Sequence, residues 1–313
     1  MHVFITGGSG LTGPAVVSEL IAAGHTVTGL ARSDAAAARL AALGASAQRG
    51  SLQDLDCLTA GAESSDGVIH MAFSADRTDP EARARHDAEA IGALGGTLTG
   101  SDRPLVITSG TLVMPTGRIS AETDTPDEGS IGAHRIPGER AALAFVERGV
   151  RVSIVRLAPT VHGPGDYGFV PALVAAARKT GVSAYIGDGG NRWPAVHRLD
   201  AASLYRLAVE NAPAGTALHG AAEGGVTLKS VADQIGRQLG VPSVSLTIDE
   251  ASEHFEQASD PFGSTFLAAI LAADAPVSSD LTRALLSWEP THYTLLEDLQ
   301  YGDYITQSLP LGP

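Results

Sequence analysis

Residues 6–13 constrain the fold of this chain more than any other part of its sequence. They read Thr-Gly-Gly-Ser-Gly-Leu-Thr-Gly, follow a short apolar run at residues 3–5 and precede an amphipathic stretch at residues 14–23. A strand, a glycine-rich turn and a helix in this order can hold a dinucleotide, because backbone N–H groups and the positive end of the helix dipole approach its pyrophosphate. The residues predicted to form this site are Gly7, Ser9, Gly10, Leu11, Thr12 and Gly13.

Strand-like and helix-like segments alternate through the first half of the chain. Further strands are predicted at residues 26–30, 67–71, 105–108 and 152–156, and helices at residues 34–43, 54–59, 80–98 and 137–148. This alternation is typical of a parallel sheet covered by helices on both faces. We therefore expect an α/β fold, a Rossmann-type doubly wound sheet with a smaller, helix-rich C-terminal substrate lobe.

The second half of the chain has a different character from about residue 163 onward. Turn-dense loops at residues 163–168 and 187–191 flank a predicted helix at residues 170–179, and residues 217–220 are expected to form an edge strand. The predicted nucleotide-binding domain spans residues 1–165 and is completed by segments near residues 195–220. The predicted substrate lobe contains residues 166–194 and 221–313.

Composition limits the partners and the compartment. The formal net charge of −14 argues against nucleic acid and against an anionic membrane surface as partners. No apolar stretch is long enough to span a bilayer, and no signal peptide precedes the glycine turn. The single cysteine, Cys57, excludes an internal disulfide and suits a reducing compartment, so a cytoplasmic location is expected.

Several motifs, in order along the chain, resemble those of the extended short-chain dehydrogenase/reductases, the group that contains sugar-nucleotide epimerases and dehydratases. Besides the glycine turn they are Arg156 with Val-His-Gly-Pro-Gly at 161–165, Gly-Asp-Gly at 187–189, Val-His-Arg-Leu-Asp at 196–200 and Leu-Ser-Trp-Glu-Pro at 286–290. The resemblance covers nearly the whole chain. It implies a nicotinamide dinucleotide as cofactor and, by analogy alone, a possible homodimer through the helices at residues 80–98 and 137–148.

The catalytic pair of that family is missing. The family carries Tyr-x-x-x-Lys, in which the Tyr donates a proton and the Lys lowers its pKa and holds the nicotinamide ribose. In the family a Glu commonly follows the Lys by four residues. With Glu139 at that position, this chain has Ile131 in place of the Tyr and Arg135 in place of the Lys, and its first tyrosine is Tyr167. Arg135 is expected to reach the ribose hydroxyls, but it does not donate a proton at neutral pH.

Hydride addition to a carbonyl produces an alkoxide, which must be protonated or stabilised by a positive charge. Other residues of this chain must therefore do this. His134 and Tyr167 are the candidate proton donors, the first because an unperturbed imidazole titrates near neutrality. Against them, His134 points about 100° away from Arg135 on a helix, and Tyr167 has the alternative of packing against the small lobe. Ser109 and Thr111, just after the predicted fifth strand, are candidates to hydrogen-bond the substrate oxygen, or are ordinary turn residues.

The substrate is expected near Tyr167, Phe169, Arg192 and Trp193, where Arg192 could clamp an anionic group and Trp193 could stack on it. His162 either borders the nicotinamide or is a hydrogen-bonded loop histidine. Asp200 is interpreted as a helix N-cap. No metal site is predicted, because the ten histidines show no ligand spacing.

The end of the second strand favours NADP(H) over NAD(H). An acidic residue that selects NAD is absent there, and Arg32 with Ser33 is placed to bind a 2′-phosphate. The alternative is a surface arginine followed by Asp34 as a helix cap. The remaining predicted cofactor contacts follow later strands of the sheet: Ser51, Leu52, Met71, Ala72, Thr108 and Pro159.

Three functions remain open at this point. The first is an NADPH-dependent oxidoreductase that reduces a ketone, aldehyde or imine, where an imine can arrive already protonated. The second is a sugar-type epimerase or dehydratase, which depends more heavily on the missing tyrosine. The third is a non-catalytic NADP(H)-binding regulator. The first is expected, because the loops at residues 163–169 and 191–197 keep polar and aromatic groups suited to a small-molecule site.

Overall fold

The computed structural model describes residues 1–74, 79–257 and 264–306. The strands are β1 (His2–Thr6), β2 (Thr26–Ala31), β3 (Ser46–Arg49), β4 (Gly67–His70), β5 (Pro104–Gly110), β6 (Arg151–Leu157), β7 (Thr160–His162), β8 (Ser183–Ile186), β9 (Arg192–His197), β10 (Thr216–Gly220), β11 (Glu223–Thr227) and β12 (Ser243–Leu246). The helices are α1 (Gly13–Ala22), α2 (Asp34–Ala42), α3 (Leu55–Glu63), α4 (Pro80–Leu98), α5 (Ile136–Leu143), α6 (Phe169–Thr180), α7 (Arg198–Asn211), α8 (Leu228–Leu239), α9 (Ile248–Gln257), α10 (Ser264–Ala272), α11 (Asp280–Leu286) and α12 (Leu295–Tyr301).

A parallel sheet of seven strands forms the centre of the described structure, in the order β10-β6-β5-β4-β1-β2-β3. The chain builds outward from β1 to β3 on one side and from β4 to β10 on the other. The strand order therefore reverses between β1 and β4, and ligands of doubly wound sheets bind at the carboxyl ends of the strands at such a point. The predicted α/β fold class is confirmed.

Alternation along β1 explains why both faces of this sheet are covered. Val3 and Ile5 point into one apolar core, which contains α1, α2 and α7, whereas Phe4 points into a second core with α3, α4 and α5. All three side chains are fully buried. Because successive side chains of a strand point to opposite faces, a continuous apolar run marks a strand that is buried on both sides.

The smaller lobe is built around two short sheets, β11-β9-β7 and β12-β8. Its helices α6, α8, α9, α10 and α12 enclose two further apolar clusters. The predicted edge strand is β10, which pairs with β6 in the large sheet. The exact domain boundary stays a prediction. Within the described residues, no helix is long and apolar enough to cross a membrane.

One predicted helix is shorter than expected. Residues 137–148 were predicted as a single helix, but α5 ends at Leu143 and a separate 3₁₀ turn covers Val146–Arg148. Phe145, between the two, packs its ring where a side chain on Gly95 of α4 would stand. The interruption is thus explained by packing between α4 and the end of α5.

Candidate nucleotide-binding and active site

The glycine turn between β1 and α1 leaves no room for side chains at two positions. A Cβ on Gly7 would lie 2.7 Å from the amide nitrogen of Ala72, and a Cβ on Gly13 would lie 2.2 Å from the carbonyl oxygen of Gly7. Gly7 also has a φ of 78°, which favours glycine. At the start of α1, Thr12 makes no side-chain capping bond. The turn is therefore a backbone cradle at the positive end of the α1 dipole, and it fits a dinucleotide pyrophosphate.

A cleft of about 410 Å³ opens above this turn, at the carboxyl ends of the strands. The predicted site residues that line it are Gly7, Ser9, Gly10, Leu11, Thr12, Gly13, Arg32, Ser51, Leu52, Met71, Ala72, Thr108 and Tyr167. Sequence reasoning missed six lining residues: Leu30, Gly50, Gln53, Phe73, Ser74 and Leu157. The other predicted cofactor and catalytic residues do not belong to the lining of this cleft, although Arg135 contacts two residues that do: Ser33, Ser109, Thr111, His134, Arg135 and Pro159.

At one end of the cleft, Arg32 is exposed and makes no hydrogen bond or ion pair with another described residue. The alternative in which Asp34 caps α2 is wrong. Ser33 is the cap, since its side-chain oxygen accepts a hydrogen bond from the amide of Ala36 at 3.2 Å. Asp34 instead forms an exposed ion pair with Arg49 at 3.3 Å. Arg32 is thus a cation at the cleft with its donors available to a ligand.

At the other end, Arg135 has the place that the family gives to its lysine. Its Nη2 donates to the carbonyl of Thr108, and its Nη1 lies 3.6 Å from the carboxylate of Asp87. The guanidinium stands 3.9 Å from the ring centre of Phe73. Nη1 is buried and has no hydrogen-bond partner among the described residues. A carbonyl, an aromatic ring and a carboxylate therefore hold the guanidinium next to two residues that line the cleft, with Nη1 on the side of Asp87.

The alignment that gave Arg135 this place rests on Glu139 and stays a prediction. Glu139 on α5 and Arg156 on β6 form a buried bidentate ion pair with distances of 2.8 and 3.0 Å. Ile131 packs against the apolar cluster of the small lobe together with Leu112. Ile131 therefore provides an apolar contact here and no proton donor.

Ser109 and Thr111 are brought to this same region, at the end of β5 and just beyond it. They are 5% and 1% exposed, and their hydroxyls have no hydrogen-bond partner among the described residues. A buried hydroxyl without a partner costs about 1–3 kcal/mol, so such groups in a site commonly serve a ligand. Two buried hydroxyls without a partner thus follow Thr108, whose carbonyl accepts a hydrogen bond from Arg135.

His134 does not have the unperturbed pKa expected for a proton donor. Burial lowers its pKa below the usual value, and the positive charges of Arg135 and Arg83 lower it further. Its ring lies 5.7 Å from that of Phe73. The imidazole is therefore neutral at pH 7 and better suited to accept a hydrogen bond than to donate a proton.

Tyr167 lines the cleft, but its surroundings differ from those expected of an acid beside the nicotinamide. Burial raises the pKa of its phenol, and the charges that act on it are those of Arg39, Asp166 and Arg198. Arg39 belongs to α2, the helix that follows Arg32. The charges that act on the phenol therefore come from α2, from the start of α7 and from the neighbouring Asp166, and Arg135 is not among them.

Arg192 and Trp193 are engaged within the protein. Arg192 forms a bidentate ion pair with Asp274, with distances of 2.9 and 2.8 Å. Trp193 is 2% exposed and meets the ring of Phe169 edge-on at 5.4 Å. Arg192 is thus not free to clamp an anion, and Phe169 and Trp193 form part of the apolar wall of the small lobe.

His162, His197 and Asp200 join the two halves of the chain instead of lining the cleft. His162 is buried and hydrogen-bonds Asp298 at 2.8 Å. The N-cap of α7 is His197, so the interpretation of Asp200 as the cap is wrong. Asp200 accepts hydrogen bonds from Thr291 and His292, residues that precede α12.

His197, Asp200 and His292 are also close enough to hold a metal ion, which the sequence did not suggest. The two rings are stacked 4.9 Å apart with an interplanar angle of 9°. Stacked rings do not direct their nitrogen lone pairs at one point between them, and both carboxylate oxygens of Asp200 already accept hydrogen bonds. These contacts favour a structural clasp over a metal centre.

Comparisons with known proteins agree with this geometry. The model of the NAD dependent epimerase/dehydratase family matches residues 3–219. An uncharacterized protein of Schizosaccharomyces pombe is 45% identical, over 97% of this chain and 100% of its own length. The 4-hydroxy-2-methyl-3-oxo-4-farnesyl-3,4-dihydroquinoline-1-oxide ketoreductase of Stigmatella aurantiaca is 29% identical, over 69% of this chain and 66% of its own length.

Among solved structures, the UDP-glucuronic acid 4-epimerase of Bacillus cereus, in complex with UDP-glucuronic acid and NAD, superposes with a TM-score of 0.75. The sequence identity is 15%, and the match covers 98% of this chain and 99% of that chain. At this identity the likeness shows a shared fold. Since the family model covers more than half of the sequence, this chain belongs to the NAD-dependent epimerase/dehydratase family, as an extended short-chain dehydrogenase/reductase that binds a nicotinamide dinucleotide.

Proposed function

We propose that this protein is an NADPH-dependent reductase that acts on a ketone, aldehyde or imine. The observation that carries the proposal is the pair of buried hydroxyls of Ser109 and Thr111, which have no hydrogen-bond partner among the described residues and follow Thr108, a residue that lines the cleft. Donors fixed around the place where negative charge develops are the main means by which enzymes stabilise an oxyanion. A relative that is named a ketoreductase, 29% identical, supports the same reaction class.

The residues of this chain divide the work as follows. When bound, the nicotinamide supplies a hydride to the carbonyl carbon. The hydroxyls of Ser109 and Thr111 orient the substrate oxygen, and Arg135 stabilises the negative charge on it. An imine substrate would bring its own proton, which suits a site where Ile131 replaces the family's tyrosine.

The preference for NADPH rests on the Arg32 end of the cleft. Arg32 is exposed there without an ion-pair partner among the described residues, so its guanidinium is available to a 2′-phosphate. Asp34, the nearest carboxylate along the chain, is paired with Arg49. The site therefore offers a cation where an NAD-selective enzyme offers a carboxylate.

The test is NADPH oxidation, followed by absorbance, across a panel of ketones, aldehydes and cyclic imines. NADPH binding is measured in the same samples by fluorescence titration. Turnover of at least one class, lost in a Ser109→Ala, Thr111→Val double variant that still binds NADPH, is the expected result. Tight NADPH binding without turnover of any class would overturn the proposal in favour of a regulatory nucleotide-binding protein.

A further inference from the structure

A chain of buried hydrogen bonds runs from the glycine turn to Arg135. Thr6, the last residue of β1, accepts a hydrogen bond from the amide of Ala72 at 3.2 Å through its hydroxyl oxygen. The same hydroxyl lies 2.8 Å from Nδ1 of His70, the last residue of β4. Because the hydroxyl has its own proton to donate to Nδ1, the Nε2 of His70 carries the proton and donates to Asp87 at 3.2 Å.

Asp87 is the carboxylate that joins this chain to Arg135. It is 4% exposed on α4, and its Oδ2 faces Nη1 of Arg135 at 3.6 Å. Burial raises the pKa of Asp87, but the hydrogen bond from His70 and the charge of Arg135 outweigh burial and hold the pKa below its usual value. Asp87 is therefore ionised at neutral pH, and it compensates the half-buried guanidinium.

The remaining contacts fix the direction in which Arg135 points. Its other terminal nitrogen donates to the Thr108 carbonyl at the cleft, and its guanidinium lies flat on Phe73, which also lines the cleft. A Cβ on Gly138 would lie 2.7 Å from Oδ2 of Asp87, so α5 approaches the carboxylate as closely as a glycine allows. Carboxylate, aromatic ring and carbonyl together hold the guanidinium beside Phe73 and Thr108, both of which line the cleft.

We propose that Asp87, held by His70, is a positioning residue that fixes the positive charge of Arg135 beside the reacting oxygen of the substrate. The inference rests on the proposed reductase function and assigns a role that the family's lysine-based site does not need. As the hydride forms the new C–H bond, the π electron pair of the C=O bond moves to oxygen. Arg135 keeps its proton, and a water molecule protonates the alkoxide and leaves hydroxide.

The first experiment compares Asp87→Asn with the wild type for the best substrate of the panel. Because a misplaced catalytic group can cost up to about 100-fold in rate, we expect kcat to fall between about 10-fold and 100-fold. NADPH affinity by fluorescence titration should change less than about 3-fold, since the glycine turn is intact. A purely structural role would instead lower Tm and NADPH affinity while leaving kcat of the folded fraction unchanged, and would overturn the inference.

Chemical rescue distinguishes a positioning role of Asp87 from a role in folding. Arg135→Ala should lose about 100-fold or more in kcat, by analogy with the removal of one oxyanion-hole donor. Added guanidinium ion should restore part of this activity, because Asp87 still offers it a carboxylate. The same ion should fail to rescue the Asp87→Asn, Arg135→Ala double variant. Equal rescue of both variants would show that Asp87 does not hold the guanidinium.

A second pair of variants tests the geometry without touching a charged group. Gly138→Ala should displace the Asp87 carboxylate, whereas Gly92→Ala on α4, where a Cβ meets nothing within 4 Å, should not. We expect only Gly138→Ala to lower kcat. Equal kcat for both variants would contradict the proposed positioning of Arg135 by Asp87.

A measurement independent of turnover keeps this inference distinct from the proposed function. In ¹⁵N NMR spectra, the side-chain N–H signals of Arg135, identified by their loss in Arg135→Ala, should be sharp and slowly exchanging in the wild type. They should broaden in Asp87→Asn. Sharp N–H signals without turnover would refute the proposed reductase function but would keep the positioning of Arg135 by Asp87. Broad signals in the wild type would refute this positioning itself.

Discussion

The two ends of the cleft differ in what recognises the ligand. At the glycine turn the recognising groups are backbone amides, and the requirement on the sequence is that Gly7 and Gly13 carry no side chain. At the Arg135 end the recognising groups are side chains from β5, the 3₁₀ turn before α5 and α4. The first end has the glycine pattern of the family, whereas the chain contains no Tyr-x-x-x-Lys that could serve the second. The backbone site thus follows the family pattern, and the side chains beside it do not.

The largest effect is expected from filling the backbone cradle. Gly13→Val would drive a branched side chain into the Gly7 carbonyl, since even a Cβ lies 2.2 Å from it. We expect no measurable NADPH binding by fluorescence titration. Gly96→Ala, where a Cβ meets nothing within 4 Å, is the matched control and should bind like the wild type. Wild-type binding by Gly13→Val would mean that the turn is not the pyrophosphate site.

The next effect concerns the side-chain end. Glu139→Ala leaves Arg156 as a buried charge without its partner, which costs about 3–5 kcal/mol. The free energy of unfolding, from urea denaturation, should fall by that amount. Arg140→Ala, which removes an exposed ion pair with Glu128, should cost less than about 1 kcal/mol. Similar losses for both variants would show that the buried pair does not organise this end.

A titration sharpens the contrast on the loop that borders the cleft. Burial raises the pKa of Asp166 to about 6 from a usual value of 3.8. The folded state thus binds the proton of Asp166 more tightly than the unfolded state does. Asp166 therefore contributes to the free energy of unfolding below pH 4, and this contribution is lost as pH rises towards 6. The loss amounts to about 3 kcal/mol. Asp166→Asn should abolish this slope in urea denaturation; an unchanged slope would assign it to another group.

A smaller effect is expected at the adenosine side of the nucleotide end. Arg32→Ala removes a cation available to the 2′-phosphate, and charged hydrogen bonds contribute about 1.5–3 kcal/mol. NADPH affinity should therefore fall about 10-fold to 100-fold, while NADH affinity changes little. Arg39→Ala on α2 serves as the control for a general loss of positive charge. Equal losses for both nucleotides would remove Arg32 from the 2′-phosphate site.

The smallest effect is expected from Tyr167→Phe. Tyr167 lines the cleft, and Arg39 and Arg198 rather than Arg135 act on its phenol. Loss of the hydroxyl should therefore weaken NADPH binding by about 0.5–1.5 kcal/mol, the usual contribution of a neutral hydrogen bond. Steady-state kinetics should show a higher KM for NADPH and an unchanged kcat. A large fall in kcat with unchanged NADPH affinity would instead make Tyr167 the proton donor that the sequence allowed.

The sequence alone predicted the fold and the glycine turn at one end of the cleft, because both depend on patterns among neighbouring residues. Strand–turn–helix order, apolar periodicity and glycine spacing are properties of neighbouring residues, and most predicted cofactor contacts do line the cleft. Small errors arose where two adjacent residues compete for one local role. Ser33 rather than Asp34 caps α2, and His197 rather than Asp200 caps α7.

The side-chain end depends on residues that are distant along the chain, which explains what was missed. Phe73 gave no signal, since an apolar residue after a strand is ordinary until Arg135 is stacked on it. Asp87 lies in a polar stretch of α4 that reads as a solvated helix face. Its role follows only from the packing of α4 against the turn before α5 and against β4. The pKa of His134 likewise depends on Arg83 and Arg135 together.

Ile131 has a consequence for any attempt to build the Tyr-x-x-x-Lys motif into this chain. Its side chain is part of an apolar contact between the turn before α5 and the small lobe. A tyrosine at position 131 would have to bury a hydroxyl in that contact, and a buried hydroxyl without a partner costs about 1–3 kcal/mol. The motif would also need Arg135→Lys. The site is therefore easier to redesign around Arg135 than towards that motif.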